Sequence, residues 1–191
     1  MSEQSLTEHE RRFLLNLART TIASNVGGPP SAHAGEQADE PTMNAGCFVS
    51  LHRAGHLRGC IGTFDTSAPV ADRVREMAVA AATRDPRFQP VSREELPALD
   101  IEISVLTPPR RITDPSEITV GTHGVIVSRG YRKGVLLPQV ATEYGWDRDT
   151  FLEHTCLKAG LPADAWEKSE TVIEVFTAEV FGERWGTAGD E

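Results

Sequence analysis

Apolar residues recur at helical spacing over residues 6 to 22, where Leu6, Phe13, Leu14, Leu17, Ala18 and Ile22 share a face. Thr7-x-x-Glu10 lies at the start of that run and has the form of a capping box, in which the hydroxyl and the carboxylate each take an orphan N–H of the first turn. Val70, Val74, Met77, Ala78 and Ala81 predict a second helix over 68–83, entered through Ser67 and Pro69 and stopped before Asp85-Pro86. A third is predicted from about Asp147 to Ala159, with Phe151, Leu152, Thr155, Cys156 and Ala159 inward and Gly160 as its stop before Pro162.

Period-two or continuous apolar runs predict the strands. Cys47 to His52 and Leu57 to Ile61 flank a short turn at Arg53-Ala54-Gly55 and read as a β-hairpin. Ser92-x-x-Glu95 is a second capping-box pattern on a short turn of helix. It precedes Ile101-Glu102-Ile103-Ser104-Val105, whose strict alternation predicts a half-buried strand ended by Pro108-Pro109. Gly124 to Ser128 and Val135 to Leu137 flank the polar connection Arg129 to Gly134 as a second hairpin, and Thr171 to Phe181 reads as one late strand. From Ser24 to Gly46 the chain turns to Gly, Pro, Ser, Ala and acidic residues, which predicts a long surface loop and the most mobile internal segment, while 182–191 reads as a C-terminal tail. Strands that come as hairpins, with helices between groups of them, predict an α+β fold with a largely antiparallel sheet and flanking helices, in a single domain over 6–181.

Composition narrows the function classes. With 19 basic against 28 acidic residues the formal charge is −9, and a surface of that sign repels phosphate backbones, so neither nucleic acid nor an anionic membrane is an expected partner. No apolar run approaches the roughly 18 residues of a membrane span, and no Arg/Lys-tipped apolar segment opens the chain. Three widely spaced cysteines, Cys47, Cys60 and Cys156, do not form a disulfide framework, and cytoplasm is the expected compartment.

The candidate chemistry lies in Leu57-Arg58-Gly59-Cys60-Ile61-Gly62. If this segment is extended, Arg58 and Cys60 share a face, and a guanidinium beside a thiol favours the thiolate, the better nucleophile. Gly59 and Gly62 bracket the cysteine and leave room for a substrate or another backbone to come close, and Thr63 follows directly. On spacing alone, the plainer reading of Cys60 as a small buried hydrophobe carries more weight.

The same hexapeptide resembles the signature of the AMMECR-type domain family, called AmmeMemoRadiSam system protein A in prokaryotes. Similar segments follow in family order: GCFVSL at 46–51, AATRDPRF at 81–88, IEISVLT at 101–107, GTHG at 121–124, VLLPQV at 135–140 and TCLKAGL at 155–161, so the likeness spans roughly Leu6 to Phe181. It implies a compact α+β fold with a larger and a smaller lobe and a motif-lined cleft as active or binding site. It also implies a functional tie to a Memo-like protein, itself similar to metal-dependent dioxygenases, and to a radical-SAM protein, as one step or subunit of a shared pathway. The stretch 27–46 matches no family motif, and nothing carries over onto it.

Other residues weigh less. His123, in Gly121-Thr122-His123-Gly124, is either a base presented to Cys60 or a turn residue. Asp85-Pro86-Arg87-Phe88 is either a helix exit with Arg87 paired to an acid or a wall with Arg87 facing an anionic substrate, and the helix-ending character of Asp-Pro favours the first. Cys156 reads as core and Lys158 as a helix C-terminal charge. His52 and His56 are close along the hairpin, but the chain has no CxxC or clustered Cys/His pattern, so no metal is expected. No phosphate loop, dinucleotide fingerprint or hydrolase elbow is present, and no cofactor is expected. The sequence therefore leaves two functions open. One is a thiol-dependent enzyme acting on a small molecule with Cys60, Arg58 and His123 as working groups and Gly59, Gly62, Thr63 and Arg87 as ligand contacts. The other is a non-catalytic binding or adaptor protein using the same cleft.

Overall fold

The computed structural model describes residues 5–27 and 40–183. In its first half the elements run α1 (Glu8–Asn25), β1 (Gly46–Arg53), β2 (His56–Thr63), α2 (Val70–Thr83) and β3 (Leu99–Leu106). The second half continues with β4 (Arg110–Ile112), β5 (Gly124–Arg129), β6 (Arg132–Leu136), α3 (Pro138–Glu143), α4 (Arg148–Lys158), β7 (Val172–Phe176) and β8 (Ala178–Gly182). The fold is α+β, with antiparallel pairing and flanking helices as expected, and its strands form two four-stranded sheets in the orders β2-β1-β3-β8 and β4-β7-β5-β6. Two units divide the chain: one takes in the described residues up to Leu106 and again from Glu179, and the other is Thr107–Ala178.

In the first unit, α1 starts where the capping box places it. The Thr7 hydroxyl accepts the Glu10 N–H at 3.2 Å and the Glu10 carboxylate accepts the Thr7 N–H at 2.7 Å. Leu14, Ala18 and Ile22 of α1 and Val70, Val74 and Ala78 of α2 join Val49, Leu51, Ile101 and Ile103 of the sheet in one buried core. Ala54 and Gly55, at φ 50° and 84°, turn the β1–β2 hairpin; two successive positive φ values match the right-handed twist of the paired strands. β1 shows the alternation of a one-sided strand, with Cys47, Val49 and Leu51 buried and Phe48, Ser50 and His52 half-buried on its other face.

The second unit has its own core, in which Val125, Val127 and Val175 meet Phe151, Leu152 and Cys156 of α4. Here the structure corrects the late strand. Thr171 to Phe181 is two strands in two different sheets, separated at Thr177, whose N–H donates to the Thr107 hydroxyl at 2.9 Å. Within the expected 24–46 loop, α1 continues to Asn25, Ala45 is buried and Asn44 forms a bridge with Pro69; residues 28–39 and 184–191 lie outside the described residues. Among the described residues, no helix is long and apolar enough to cross a membrane.

Candidate functional site around Cys60

β2 is the edge strand of its sheet, and a bulge in it decides where the thiol goes. Leading out of the turn, Arg53 pairs with His56 and His52 with Leu57, but Leu51 then pairs with Gly59, leaving Arg58 as the extra residue. In the unshifted register Cys60 would stand opposite Val49, whose side chain is in the core. The one-residue shift sets it opposite Ser50, on the other face of the sheet. There the Ser50 hydroxyl donates to the Cys60 sulfur at 3.3 Å. Cys60 is half-buried; Cys47 and Cys156 are fully buried. Burial pushes the Cys47 thiol up to about 12, against the opposing pull of Arg73, and burial likewise raises Cys156.

As an edge residue, Cys60 turns its N–H away from β1, and an unpaired donor there needs a partner. Asp85, two residues beyond the end of α2, supplies it: one carboxylate oxygen accepts the Cys60 N–H at 2.9 Å and the Arg87 Nη2 at 2.7 Å. Its other oxygen accepts the backbone N–H and the Nε of Arg87 at 3.1 and 3.0 Å. The Asp85 side chain is 2% exposed and that of Arg87 55% exposed. Arg87, with the Cys60 and Arg87 N–H groups adding to it, holds the carboxyl well below the usual carboxylate range despite burial. Arg87 is thus paired to an acid, as the helix-exit reading expects, and its guanidinium is largely open. Its Nη2 also lies 3.5 Å from the Cys60 carbonyl oxygen.

Arg58, the bulged residue, directs its donors along the strand edge. Nε and Nη2 engage the two oxygens of Glu95 at 2.9 and 3.0 Å, and Nη1 donates to the Gln89 carbonyl at 2.8 Å. Glu95 also closes the capping box on Ser92, whose N–H it accepts at 2.9 Å. The pairing with Arg58 draws the Glu95 carboxyl down to about 2. Arg58 therefore ties the 89–95 connection to β2, and the guanidinium that reaches the Cys60 backbone is that of Arg87.

The glycines prove to be filled spaces. A methyl group on Gly59 would come within 2.2 Å of the Ala81 carbonyl oxygen of α2, and one on Gly62 within 2.2 Å of the Phe48 ring. The Thr63 hydroxyl accepts the Asp65 N–H at 3.1 Å. His123 belongs to the second unit, where its Nδ1 accepts the Thr119 N–H at 3.0 Å. A neutral ring accepting at Nδ1 carries its proton on Nε2 and presents a donor there. Among the described residues, no three His, Cys, Asp or Glu side chains are gathered as a metal ion would require, and the register pairs His52 with Leu57 and His56 with Arg53. Sequence reasoning missed Ser50, Asp85 and Glu95. In the sequence Asp85 and Glu95 are local helix punctuation, and Ser50 becomes the partner of Cys60 through a bulge that no residue type announces.

Comparison with known proteins agrees over nearly the whole chain. A protein of Methanothermobacter thermautotrophicus is 44% identical over 190 residues, spanning 96% of this chain and 99% of its own. One from Methanosarcina barkeri is 44% identical over 94% of this chain and 93% of its own. The crystal structure of the uncharacterised protein PH0010 from Pyrococcus horikoshii superimposes with a TM-score of 0.82 at 40% identity, covering 93% of each chain. The AMMECR1 family pattern matches residues 15–181, a span that contains the bulged strand, Asp85 and both hairpins, and the chain belongs to that family.

Proposed function

We propose that this chain acts on a small molecule through the Cys60 thiol, within the pathway of Memo-like and radical-SAM proteins that its family resemblance implies. The observation that carries this reading is the selective presentation of one thiol. Cys60 is turned out of the core by a bulge and receives a hydroxyl hydrogen bond at sulfur, while the other two cysteines are sealed in. The Ser50 hydrogen bond fixes the sulfur in place, the positioning that an attacking thiol needs. Asp85 fixes the backbone under the thiol, so the sulfur is held by the fold and not by its own side-chain preference. Arg58 serves as a positioning residue through Glu95 and the Gln89 carbonyl. His123 is assigned to its own turn, since its Nδ1 is already engaged.

The test is the reactivity of each cysteine in the folded full chain toward iodoacetamide, followed by peptide mass spectrometry from about pH 6 to about pH 9. Cys60 is expected to react at least about tenfold faster than Cys47 or Cys156, and Ser50→Ala to slow it with the fold intact. A Cys60 that reacts only after unfolding removes the thiol from the function and leaves the non-catalytic ligand-binding reading in its place.

A further inference from the structure

We propose that the outer edge of the Arg87 guanidinium forms, beside the Cys60 thiol, a subsite for the carboxylate or other small anionic group of the molecule on which that thiol acts. The inference rests on the reading of Cys60 given above and adds the class of its substrate.

Arg87 and Asp85 are an ion pair whose two halves sit in very different surroundings. The carboxylate is sealed at 2% exposure with its oxygens taken by four donors, and the guanidinium stands 55% exposed. The anionic end is thus buried and fully used, and the outward face of the pair is its cationic end. Nε and Nη2 form the edge turned to Asp85, Nη2 also donates to the Cys60 carbonyl oxygen at 3.5 Å, and Nη1 has no hydrogen-bond partner among the described residues. With Nε and Nη2 both engaged, Nη1 is the free corner of the guanidinium, and its two protons form the outward edge that can meet a carboxylate oxygen.

That edge is already ordered. Asp85 fixes one side of the guanidinium, and Cζ lies 5.3 Å from the centre of the Phe88 ring, so binding an anion does not require a mobile arginine to be immobilised. It also lies at the same residue as the thiol: Nη2 donates to the Cys60 carbonyl oxygen at 3.5 Å. The guanidinium is held protonated chiefly by its hydrogen bond to Asp85. Arg58, the other arginine of the segment, is closed to a ligand by Glu95 and the Gln89 carbonyl.

The experiment compares two alkylating agents that deliver similar electrophiles with different charge. With iodoacetate and iodoacetamide alike the sulfur bonds to the methylene carbon and expels iodide into solution, but only the first carries a carboxylate. The rate ratio of iodoacetate to iodoacetamide at Cys60 is measured on the full chain and divided by the same ratio for glutathione. A value of about five or more is expected, the effect of one favourable charge at short range in a mostly aqueous setting, and Arg87→Met should abolish it. Because that substitution leaves Asp85 buried without its cation, unmodified protein provides a second measurement. Added acetate should slow alkylation by iodoacetate more than by iodoacetamide. A normalised ratio of one, or acetate without selective effect, overturns the anion subsite while leaving a reactive Cys60 in place. Failure of both reagents to reach Cys60 in the folded protein overturns the thiol reading and this inference with it.

Discussion

Gly59 has no room for a side chain, and the obstacle is backbone. Its added methyl would stand 2.2 Å from the Ala81 carbonyl oxygen, so either α2 or the strand must move. Overpacking of this kind costs about 1 to 3 kcal/mol, and a helix carbonyl yields less readily than a side-chain tip. Gly59→Ala is therefore expected to lower the urea midpoint by an amount equivalent to about 2 kcal/mol, with loss of Cys60 presentation as a second readout. An unchanged midpoint would mean that α2 does not press on the strand there. The sequence shows that Gly59 and Gly62 leave gaps, but not what occupies them. Their spacing suits an approaching ligand equally well, and only the packing of α2 over Gly59 and of Phe48 beside Gly62 decides the matter. The same limit applies to Arg87, where residue types leave an ion pair and an anion contact as alternatives, and only the structure shows the ion pair, with Asp85 sealed and Arg87 half exposed.

At the scale of elements, the connection between α2 and β3 is fastened to β2 at two points, Asp85 to the Cys60 N–H and Arg58 to Glu95. Both carboxyls sit below their ordinary values in the folded chain, Glu95 at about 2 because of Arg58 and Asp85 lower still because of Arg87. A depressed folded value means that the stabilisation is fully present above the unfolded value, about 4.3 for Glu and about 3.9 for Asp, and is lost as pH falls through the folded one. Arg58→Met should cost about 2 kcal/mol at neutral pH, a pair half-way between exposed and buried, and the gap from the unsubstituted protein should narrow between about pH 5 and about pH 2.5. Urea midpoints of both proteins across that range check it; a gap that stays constant would exclude Glu95 as the partner that matters. Much of this element pattern is legible beforehand. Thr7-x-x-Glu10 and Ser92-x-x-Glu95 both form the capping boxes their spacing predicts. What escapes is long range: Glu95 also receives an arginine from 37 positions earlier, and the alternation through Thr171 to Phe181 runs on while the chain changes sheets at Thr177 without a Gly or Pro to mark it. β4, at three residues, and α3, at six, are too short for any periodicity to register.

At the scale of the whole molecule, charge sets which anions the protein can accept. Helices between groups of hairpins predicted α+β from residue patterns alone, but two sheets with separate cores follow from pairings that hydrophobicity does not number. Net charge, by contrast, is read directly: 19 basic residues face 28 acidic ones, and many of the arginines are already engaged. Arg53 and Arg58 share Glu95, Arg87 holds Asp85, Arg73 pairs with Asp65 and Glu76, and Arg75 with Glu40 and Asp72. A polyanion gains affinity by exchanging condensed counterions for protein cations, with a salt slope of about 0.9 per phosphate neutralised, and the arginines named here already have carboxylate partners. At physiological ionic strength the Debye length is about 8 Å, so a single carboxylate at Arg87 responds mainly to the charges nearest it. A nucleic acid laid on the surface meets the remaining acidic residues along its whole length. Labelled single- and double-stranded oligonucleotides are accordingly expected to show no rise in fluorescence anisotropy at micromolar protein in physiological salt, under conditions where acetate still protects Cys60. An anisotropy rise that disappears as salt is added would show a cationic track that the net charge conceals, and would make Arg87 one member of an extended phosphate-binding surface instead of an isolated subsite beside a thiol.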